Sequence, residues 1–426
     1  MSVLRLPRAD GSLAGYEIRG PRDWPMPTDP ARSRVAFAAA HVVADPFADN
    51  TPGSPATLDW DATLAFRAHL IRHGLGVAEA MDTAQRGMGL TWATTKELIV
   101  RSSAQARELG GSIACGVGTD SGATVTSLAD VVAAYLEQLE VVESAGSQSI
   151  LMASRQLAEL ATGAEDYAAV YDKVLAQVGR PVILHWLGPM FDPGLAGYWG
   201  SADVAIATEN FLAVIRDHVG KIDGVKVSLL DADHEVALRA SLPAGVRLYT
   251  GDDFNYPDLI ASGSDALLGI FDAIAPAAAA ALAALDAGDD TAYRDALDAT
   301  VPLSRHLFST PTFYYKTGIV LLAWLSGHQD AFSMVGGLQS ARSLPHLAEA
   351  FRLADVAGLL PDADLAEARM CVPCWRCTGS STDARRRGRR SSEAGAEPVD
   401  YPPMVPGRSR RRLRAAWSSG HRYLAR

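Results

Sequence analysis

Short apolar runs alternate with segments of helical periodicity between Val35 and Gly269. Each run is apolar along its whole length, which is typical of parallel strands that are covered by helices. Eight runs predict strands, at 35–43, 76–81, 112–117, 149–154, 181–186, 224–229, 246–251 and 265–270. Apolar residues at helical spacing lie between them, for example at 63–73, 128–143, 167–178 and 208–219.

Eight strand–helix units within about 235 residues match the usual size of a closed (β/α)8 barrel. A doubly wound open sheet is the main alternative, but no glycine-rich phosphate loop follows the first predicted strand. We therefore predict an α/β protein with a TIM barrel at 34–287 and a lead-in segment at 1–33. Helical patterns follow the eighth strand at 273–287, 290–299, 312–327 and 344–358. They predict a C-terminal helical extension, whose range we place at 288–370.

The chain changes character after Met370. Residues 371–426 contain 13 arginines and four acidic residues, and they have little periodic apolar pattern. This composition predicts a disordered basic tail; it is either a genuine tail or, in the interpretation that we favour, an out-of-frame translation. Cys371, Cys374 and Cys377 resemble metal ligands, but no fourth ligand follows at the spacing of a zinc site, so we predict no metal there.

Composition limits the classes of partner. Hydrophobic residues make up 48% of the chain and charged residues 21%, as in soluble globular proteins. The longest apolar runs are shorter than the roughly 20 residues that span a bilayer, and the N-terminus lacks the apolar stretch of a secretory signal. A net charge of −10 overall and +9 for the tail leaves −19 for residues 1–370, which disfavours nucleic acid. We expect a cytoplasmic protein with neither a membrane nor a nucleic acid as partner.

One lysine lies inside a predicted strand. The chain contains 5 lysines against 34 arginines, and Lys226 is flanked by two valines in "GVKVSL". Burial disfavours the charged form of an amine, and the neutral amine can attack a carbonyl carbon to form a Schiff base. The resulting iminium stabilises a carbanion on the neighbouring carbon. The alternative is a structural lysine that is paired with Asp252 or Asp253, and the residues alone leave both interpretations open.

In (β/α)8 enzymes the reactive groups lie at the carboxyl ends of the strands. Several polar side chains follow the predicted strands here. Either Arg86 or Arg155 could bind a carboxylate or a phosphate in a bidentate manner, and Asp82 and Gln85 suit hydroxyl groups. For any single one of them, a solvated loop position is the alternative. The candidates are Asp82, Thr83, Gln85, Arg86, Ser154, Arg155, His185, Asp192, Lys226, Ser228, Thr250, Asp252 and Asp253.

Three segments carry a resemblance to a known family. "KIDGVKVSLLD" at 221–231, "LYTGDDF" at 248–254 and "GSDALLGIFDAIAPAAAAALAALDAGD" at 263–289 resemble the dihydrodipicolinate synthase / N-acetylneuraminate lyase superfamily. The resemblance covers about residues 35–365 and points to an uncharacterised branch. It implies a (β/α)8 barrel with a helical extension, Schiff-base lyase or aldolase activity on a small carbonyl compound, no cofactor, and a homo-oligomer, a dimer or a tetramer.

The resemblance also assigns catalytic residues. The family's Gly-Ile-Lys motif falls on Gly224, Val225 and Lys226, which makes Lys226 the Schiff-base lysine. His185 stands where the family has a proton-relaying tyrosine, and histidine can transfer protons near neutral pH. Its alternative is a histidine that is only hydrogen-bonded in the barrel mouth. Thr83 keeps the first threonine of a family motif, and we expect it to support His185.

Departures from the family concern the substrate. The family's Gly-Thr-Thr-Gly-Glu is replaced by "DTAQR", and an arginine of the synthases is missing from "HWLGPMFDPG". Dihydrodipicolinate synthesis itself is therefore not expected, and pyruvate as the carbonyl partner is in question. The polar replacements lead us to a polyhydroxylated or sugar-derived carbonyl substrate. The predicted substrate-binding residues are Asp82, Gln85, Arg86, Arg155, Asp252 and Asp253.

Two other functions stay open at this stage. A divalent-metal barrel enzyme would need oxygen and nitrogen ligands, although no paired spacing such as His-x-His is present. A barrel that binds a ligand or a partner without catalysis could use residues 326–337 as an exposed contact surface. No nicotinamide, flavin or pyridoxal site is evident, so we predict no cofactor. The candidate metal ligands are Glu79, Asp82, His185, His234, Asp252 and Asp253.

Overall fold

The computed structural model describes residues 3–27, 29–122 and 124–371. Within them, eight parallel strands close into a barrel in the order β10-β3-β4-β5-β6-β7-β8-β9, and a two-stranded antiparallel hairpin, β1 and β2, precedes it. The strands are β1 Leu4–Pro7, β2 Leu13–Tyr16, β3 Ala36–Ala39, β4 Gly76–Glu79, β5 Ile113–Val117, β6 Gln148–Leu151, β7 Val182–Leu187, β8 Ile222–Ser228, β9 Arg247–Thr250 and β10 Asp265–Leu268.

The predicted TIM barrel is confirmed, and each of the eight apolar runs overlaps one barrel strand. The strands could be predicted because both of their faces are buried. Every residue of β3, β4 and β7 is buried between the barrel interior and the surrounding helices. The observed β3 and β4 end earlier than the predicted strands. Ala80, directly after β4, has a φ of 54°, which breaks the extended backbone there.

The barrel helices and the extension follow the periodic segments. Most of the described helices are preceded by a residue whose side-chain oxygen accepts a backbone N–H of the first turn, among them Asp59, Thr91, Ser127, Ser154, Asp203, Asp231, Asp289 and Ser343. The helices are α1 Trp60–Arg72, α2 Trp92–Glu108, α3 Leu128–Ser144, α4 Arg155–Leu160, α5 Ala164–Gln177, α6 Val204–Asp217, α7 Ala232–Ser241, α8 Tyr256–Ala261, α9 Ile270–Ala273, α10 Ala275–Asp286, α11 Asp290–Leu297, α12 Val301–Leu307, α13 Tyr315–Leu325, α14 Leu344–Val356 and α15 Ala363–Cys371.

The N-terminal hairpin was not predicted. It packs on the extension, where the Tyr16 hydroxyl donates to Asp355 Oδ2 at 2.6 Å and the backbone N–H of Arg19 donates to the same oxygen at 2.9 Å. Two four-residue strands are too short to show a period, so only the Asp10-Gly11 turn signal was available from the sequence. The lead-in segment therefore contributes to the packed structure.

The domain boundaries at 34, 288 and 371 stay predictions. The tail, with Cys374 and Cys377, lies outside the described residues, and so do the predictions made for it. No helix among the described residues is long and apolar enough to cross a membrane.

Aromatic rings fill the barrel interior on the amino-terminal side of Lys226. Phe37 and Tyr249 lie with ring centroids 6.1 Å apart, and glycines on neighbouring strands leave room for them. A Cβ at Gly76 would lie 2.5 Å from the Phe37 ring, and a Cβ at Gly224 would lie 2.6 Å from the Tyr249 ring. These rings form a floor, so that space remains only toward the carboxyl ends of the strands.

A buried ion pair joins α1 to β4. Arg67 Nε lies 2.8 Å from Glu79 Oε2 and Nη2 lies 2.9 Å from Oε1, with both side chains withdrawn from solvent. Arg67 Nη1 also donates to the carbonyl oxygens of His41 and Thr63. The pair thus anchors the first barrel helix to the strands that lead into the site.

We expect Arg67→Met to lower the free energy of unfolding by about 3–5 kcal/mol, because it leaves the Glu79 carboxylate buried without a partner. Arg101→Met, in the exposed Arg101–Glu97 pair on α2, is the matched control and should change it by less than about 1 kcal/mol. Urea-induced unfolding measures both. Equal losses for the two variants would contradict a special role for the buried pair.

Candidate active site

Lys226 faces the barrel interior because of the alternation of side chains along β8. Its neighbours Val225 and Val227 pack in the large core between the strands and the helices, and Lys226 and Ser228 point to the inside. The Lys226 side chain is only 7% exposed. Gly251, directly after β9, makes room for it, since a Cβ there would lie 2.9 Å from Lys226 Cε.

The amine lies in a small closed space that we call the amine chamber. Its volume is about 10 Å³, which is room for about one water molecule. Leu187 and Phe191 contribute apolar walls, and the other side of the chamber is polar. The lining residues are Ala39, Met81, Asp82, Thr83, Leu187, Phe191, Lys226, Ser228, Asp253, Gly269 and Tyr315.

A larger cavity of about 120 Å³, the mouth cavity, adjoins the amine chamber and shares Asp82 and Leu187 with it. It lies over the carboxyl ends of the strands, and nine of its fifteen lining residues have polar or charged side chains. Its residues are Asp82, Arg86, Gly87, Gly118, Thr119, Asp120, Met152, Ala153, Ser154, Arg155, Gln156, His185, Leu187, Asp192 and Leu195.

Burial dominates the electrostatics of Lys226. It lowers the pKa of the amine, and the carboxylates of Asp82 and Asp253 partly oppose this effect. Burial likewise raises the pKa of Asp253, although its Oδ1 accepts the backbone N–H of Ile270 at 2.9 Å. Among the ion pairs of the described residues, none involves Lys226. The amine is therefore near two acids without being locked to either.

His185 lies beside Lys226 on the neighbouring strand, and the two residues are register partners in the β7–β8 ladder. The imidazole is fully buried; burial and the adjacent Lys226 amine hold its pKa well below the usual range. Its Nε2 is 3.4 Å from Ser228 Oγ, and its buried Nδ1 has no partner among the described residues. His185 lines the mouth cavity, and Ser228 connects it to the amine chamber.

Thr83 contacts a tyrosine rather than His185. The hydroxyl oxygens of Thr83 and Tyr315 are hydrogen-bonded at 2.7 Å in the wall of the amine chamber. Tyr315 begins α13 in the extension, and burial raises the pKa of its phenol well above the ordinary value. Sequence reasoning missed this residue because it lies far along the chain from every predicted strand end.

Lys316 was missed as well. It is buried, its Nζ donates to the Phe313 carbonyl at 3.1 Å and lies 4.5 Å from the centre of the Tyr315 ring. Burial lowers the pKa of Lys316 to about 8, against the opposing effect of Asp82 and Asp192. The sequence could have indicated this residue, because Lys316 lies in the apolar run "YKTGIVLLAWL" just as Lys226 lies in an apolar strand.

The predicted substrate-binding residues divide into those that line the two cavities and those that do not. Asp82 and Asp253 line the amine chamber. Arg155 lines the mouth cavity, is half-exposed, and donates through Nε to Asp192 at 2.5 Å. The structure therefore brings these residues together over the carboxyl ends of the strands.

The other three have internal partners. Arg86 lines the mouth cavity, but it donates to Asp120, Gln138 and the carbonyl of Gly116, which favours a structural role. The Gln85 amide donates to the Val335 carbonyl at 2.8 Å. Asp252 accepts the backbone N–H groups of Phe254 and Asn255 at 2.8 and 3.0 Å. Neither Gln85 nor Asp252 lines either cavity.

The candidate metal ligands do not converge. Glu79 is paired with Arg67, and His234 Nε2 lies 2.8 Å from the Thr208 hydroxyl between two outer helices. No group of three or more His, Cys, Asp or Glu side chains in the described part of the chain is arranged to hold a metal ion. The expected exposed surface at 326–337 is wrong: most of its residues are buried or half-buried, and the Ser333 hydroxyl donates to the Ala44 carbonyl at 3.3 Å.

The five lysines give a direct test of these surroundings. In protein labelled with ¹³C at lysine Cε, we expect the signals of Lys226 and Lys316 to titrate at lower pH than the exposed Lys96 and Lys173, with Lys316 near pH 8. Lys226→Arg and Lys316→Arg assign the two signals by removing them. Five signals that titrate together would contradict the burial of both amines.

The chain is similar to one protein family and to a group of solved structures. The family described as "Protein of unknown function (DUF993)" matches residues 4–374. None of the curated proteins matches the chain. Solved structures of dihydrodipicolinate synthases share its fold, at identities too low to carry an activity across.

One similar structure is YagE, a prophage protein belonging to the dihydrodipicolinic acid synthase family from E. coli K12, in complex with pyruvate. It is 14% identical, with a TM-score of 0.61 over 76% of this chain and 99% of that chain. The synthase from Aquifex aeolicus is 12% identical, with a TM-score of 0.59 over 77% and 99% of the two chains. The synthase from Thermotoga maritima is 15% identical, with a TM-score of 0.58 over 77% and 100%.

These structures confirm that the fold is the one expected from the sequence resemblance. The chain belongs to the family described as "Protein of unknown function (DUF993)", and its barrel has the fold of the dihydrodipicolinate synthases.

Proposed function

We propose that this protein is a Schiff-base-forming lyase or aldolase that acts on a small carbonyl compound, with Lys226 as the nucleophile. The observation that carries the proposal is a buried amine at the carboxyl end of a barrel strand, with a lowered pKa and no ion-pair partner among the described residues. A neutral amine has a free electron pair for attack on a carbonyl carbon. The fold is also that of YagE, which was solved with pyruvate.

The first step consumes a proton. The Lys226 nitrogen attacks the carbonyl carbon, the carbonyl oxygen leaves as water, and the product is an iminium. Because burial raises the pKa of Asp253, this side chain can hold a proton next to Lys226 and deliver it to the departing oxygen. The iminium then accepts the electron pair of the carbon–carbon bond that breaks.

The second proton transfer is assigned to the hydroxyl pair. Cleavage of the carbon–carbon bond releases the proton of a hydroxyl group on the substrate, and reprotonation of the enamine carbon consumes one. Tyr315 and Thr83 are hydrogen-bonded to each other and line the amine chamber, so they can pass a proton along this path. His185 was predicted to carry a proton, but its pKa lies well below the usual range, so its proposed part is to orient the Ser228 hydroxyl as a neutral imidazole.

The substrate class follows from the mouth cavity. Its two carboxylates, those of Asp82 and Asp192, are the main candidates for binding hydroxyl groups of a substrate. Thr119, Ser154 and Gln156 also line the cavity, but their side chains are hydrogen-bonded to one another. Arg86 has its donors occupied by protein acceptors, and the Nε of Arg155 is occupied by Asp192. These contacts support a polyhydroxylated or sugar-derived carbonyl compound.

The amine chamber must open for this chemistry. Its volume of about 10 Å³ does not admit a substrate carbonyl carbon with its substituents. Leu187 ends β7 and Phe191 lies in the loop that follows, so these apolar side chains separate the amine from the mouth cavity. We propose that they move when substrate enters. A homo-oligomer, a dimer or a tetramer, in the cytoplasm remains our prediction for the assembly and its location.

Trapping with borohydride tests the nucleophile. Borohydride reduces an iminium to a stable secondary amine, so incubation with a panel of 2-oxo acids and keto sugars should add the mass of the reactive compound to the peptide that contains Lys226. Lys226→Arg should abolish the adduct. Lys316→Arg removes the second buried amine and serves as the matched control, which should keep it. No adduct across the panel would instead favour a barrel that binds without catalysis.

A second test concerns the tyrosine. Tyr315→Phe removes one hydroxyl of the pair. For a compound that borohydride traps on Lys226, we expect this variant to slow the exchange of solvent deuterium into the carbon next to the carbonyl by about 100-fold, the usual scale for a lost proton donor. The borohydride adduct should still form. Tyr293→Phe is the control, since its buried hydroxyl donates to the distant Pro257 carbonyl. Unchanged exchange in Tyr315→Phe, measured by NMR, would remove Tyr315 from the mechanism.

A further inference from the structure

A second cavity lies outside the barrel, between α1, α13 and the N-terminal segment. We call it the histidine pocket; its volume is about 360 Å³. It shares no lining residue with the amine chamber or the mouth cavity. The lining residues are Arg22, Trp24, Phe66, His69, His73, Asp272, Ala273, Pro276, Leu322, Ala323, Ser326, His328, Gly358, Leu359 and Pro361.

Its size and its walls are those of a small-molecule site. Pockets for such ligands have volumes of about 300–1,000 Å³ and are lined mostly by apolar and aromatic side chains with a few polar groups. Here Trp24, Phe66, Leu322 and Leu359 provide the apolar walls. The polar groups are concentrated in the histidines.

The histidines form a cluster of rings that contact one another at tilted angles. The His69 ring lies 4.4 Å from that of His73 and 4.3 Å from that of His328, and the His328 ring meets Phe66 edge-on at 5.1 Å. The His41 ring lies 4.3 Å from that of Phe66. The His41 Nε2 is buried and has no hydrogen-bond partner among the described residues.

The cluster lacks a free negative charge. Burial, and then the neighbouring imidazoles, lower the pKa of His69 to about 2 and that of His328 to about 4; burial also lowers the pKa of His73. The charged groups around these rings are Arg22, Arg72, Asp272 and the other histidines.

Asp272 is the one acid among these groups, and it is already engaged. Its Oδ2 accepts the backbone N–H of His41 at 2.7 Å, and it lies 2.8 Å from His41 Nδ1. Arg22 is paired with Asp295 at the pocket rim. The pocket therefore presents imidazoles that could accept a positive charge, in the absence of a carboxylate that is free to stabilise it.

We propose that the histidine pocket binds a small organic anion with an apolar body, an aryl or branched aliphatic carboxylate. Its carboxylate would lie at the imidazoles of His69 and His328, and its hydrocarbon part would fill the space between Trp24, Phe66 and Leu322. This proposal is independent of the Schiff-base chemistry, because it uses none of the residues of the amine chamber.

Proton uptake follows from this assignment. An anion beside the imidazoles favours their charged form, so binding raises the pKa of a histidine that is neutral in the free protein. Affinity should therefore increase as pH falls, by up to about tenfold per pH unit for one proton taken up. The charged and titratable groups around the pocket are those named above. They lie on α1 or directly after it, on α9, after β3, in the N-terminal segment, and in the loop that follows α13.

Calorimetry on the full chain tests the pocket with benzoate, phenylacetate and 3-methylbutanoate as probes. We expect saturable binding that is stronger at about pH 5 than at about pH 7, because the pKa of His328 is about 4 in the free protein and rises when an anion binds. The uptake of a proton should be seen as a dependence of the heat on the buffer. Benzamide, the neutral analogue, should bind at least tenfold more weakly than benzoate. His328→Phe keeps a ring in the cluster and removes its nitrogens, and it should weaken benzoate at least tenfold.

A second variant covers the case in which His328→Phe does not fold, as judged by circular dichroism. His69→Phe should give the same loss, and Lys226→Met, which alters only the amine chamber, should bind the probes as the unmodified protein does. The proposal is overturned if no probe binds at millimolar concentration, if benzamide equals benzoate, or if both histidine variants keep their affinity. Loss of binding in Lys226→Met would place the probes in the amine chamber and overturn it too.

Discussion

Withdrawal of the Lys226 amine from water is the constraint around which the barrel interior is organised. A buried charge is costly, and a buried lysine lowers that cost by releasing its proton. The neighbouring Asp253 is under the opposite pressure, since burial favours its protonated form. Two groups that would normally attract each other as ions can therefore both stay neutral. Such a pair holds a reactive electron pair and a transferable proton in one place, which is what condensation with a carbonyl requires.

The site is completed by a segment that a barrel does not need. α13 belongs to the C-terminal extension, and its first two residues place a phenol in the amine chamber and an amine beside it. A role limited to packing or to subunit contact does not account for Tyr315 and Lys316. The extension therefore contributes side chains to the site in the barrel. It also contacts the loop after β4, where the Gln85 amide donates to the Val335 carbonyl.

The sequence predicted those features that depend on local pattern. Eight strands could be located because a strand buried on both faces is apolar throughout, and the same alternation directs Lys226 inward. It could not separate Asp253 from Asp252, since adjacent residues of one type differ only in what they contact after folding. One lines the amine chamber, and the other accepts backbone N–H groups in its own loop. The position of Tyr315 in the site depends on how α13 packs against the barrel, and the hydrophobic periodicity of the sequence does not predict that packing.

Asp82 lies where a substrate would pass from the mouth cavity to the amine chamber. It lines both cavities, and its carboxylate opposes the effect of burial on Lys226 and on Lys316 alike. An anionic group of a substrate would have to approach this carboxylate in order to reach the Lys226 amine. Lys316 compensates part of the charge of Asp82, and Arg155 compensates that of Asp192, so the path to the amine is polar without a strong net charge. A path of this kind favours hydroxyl groups over a second acid, and it follows from the aspartate that stands in "DTAQR" in place of the family's glycine.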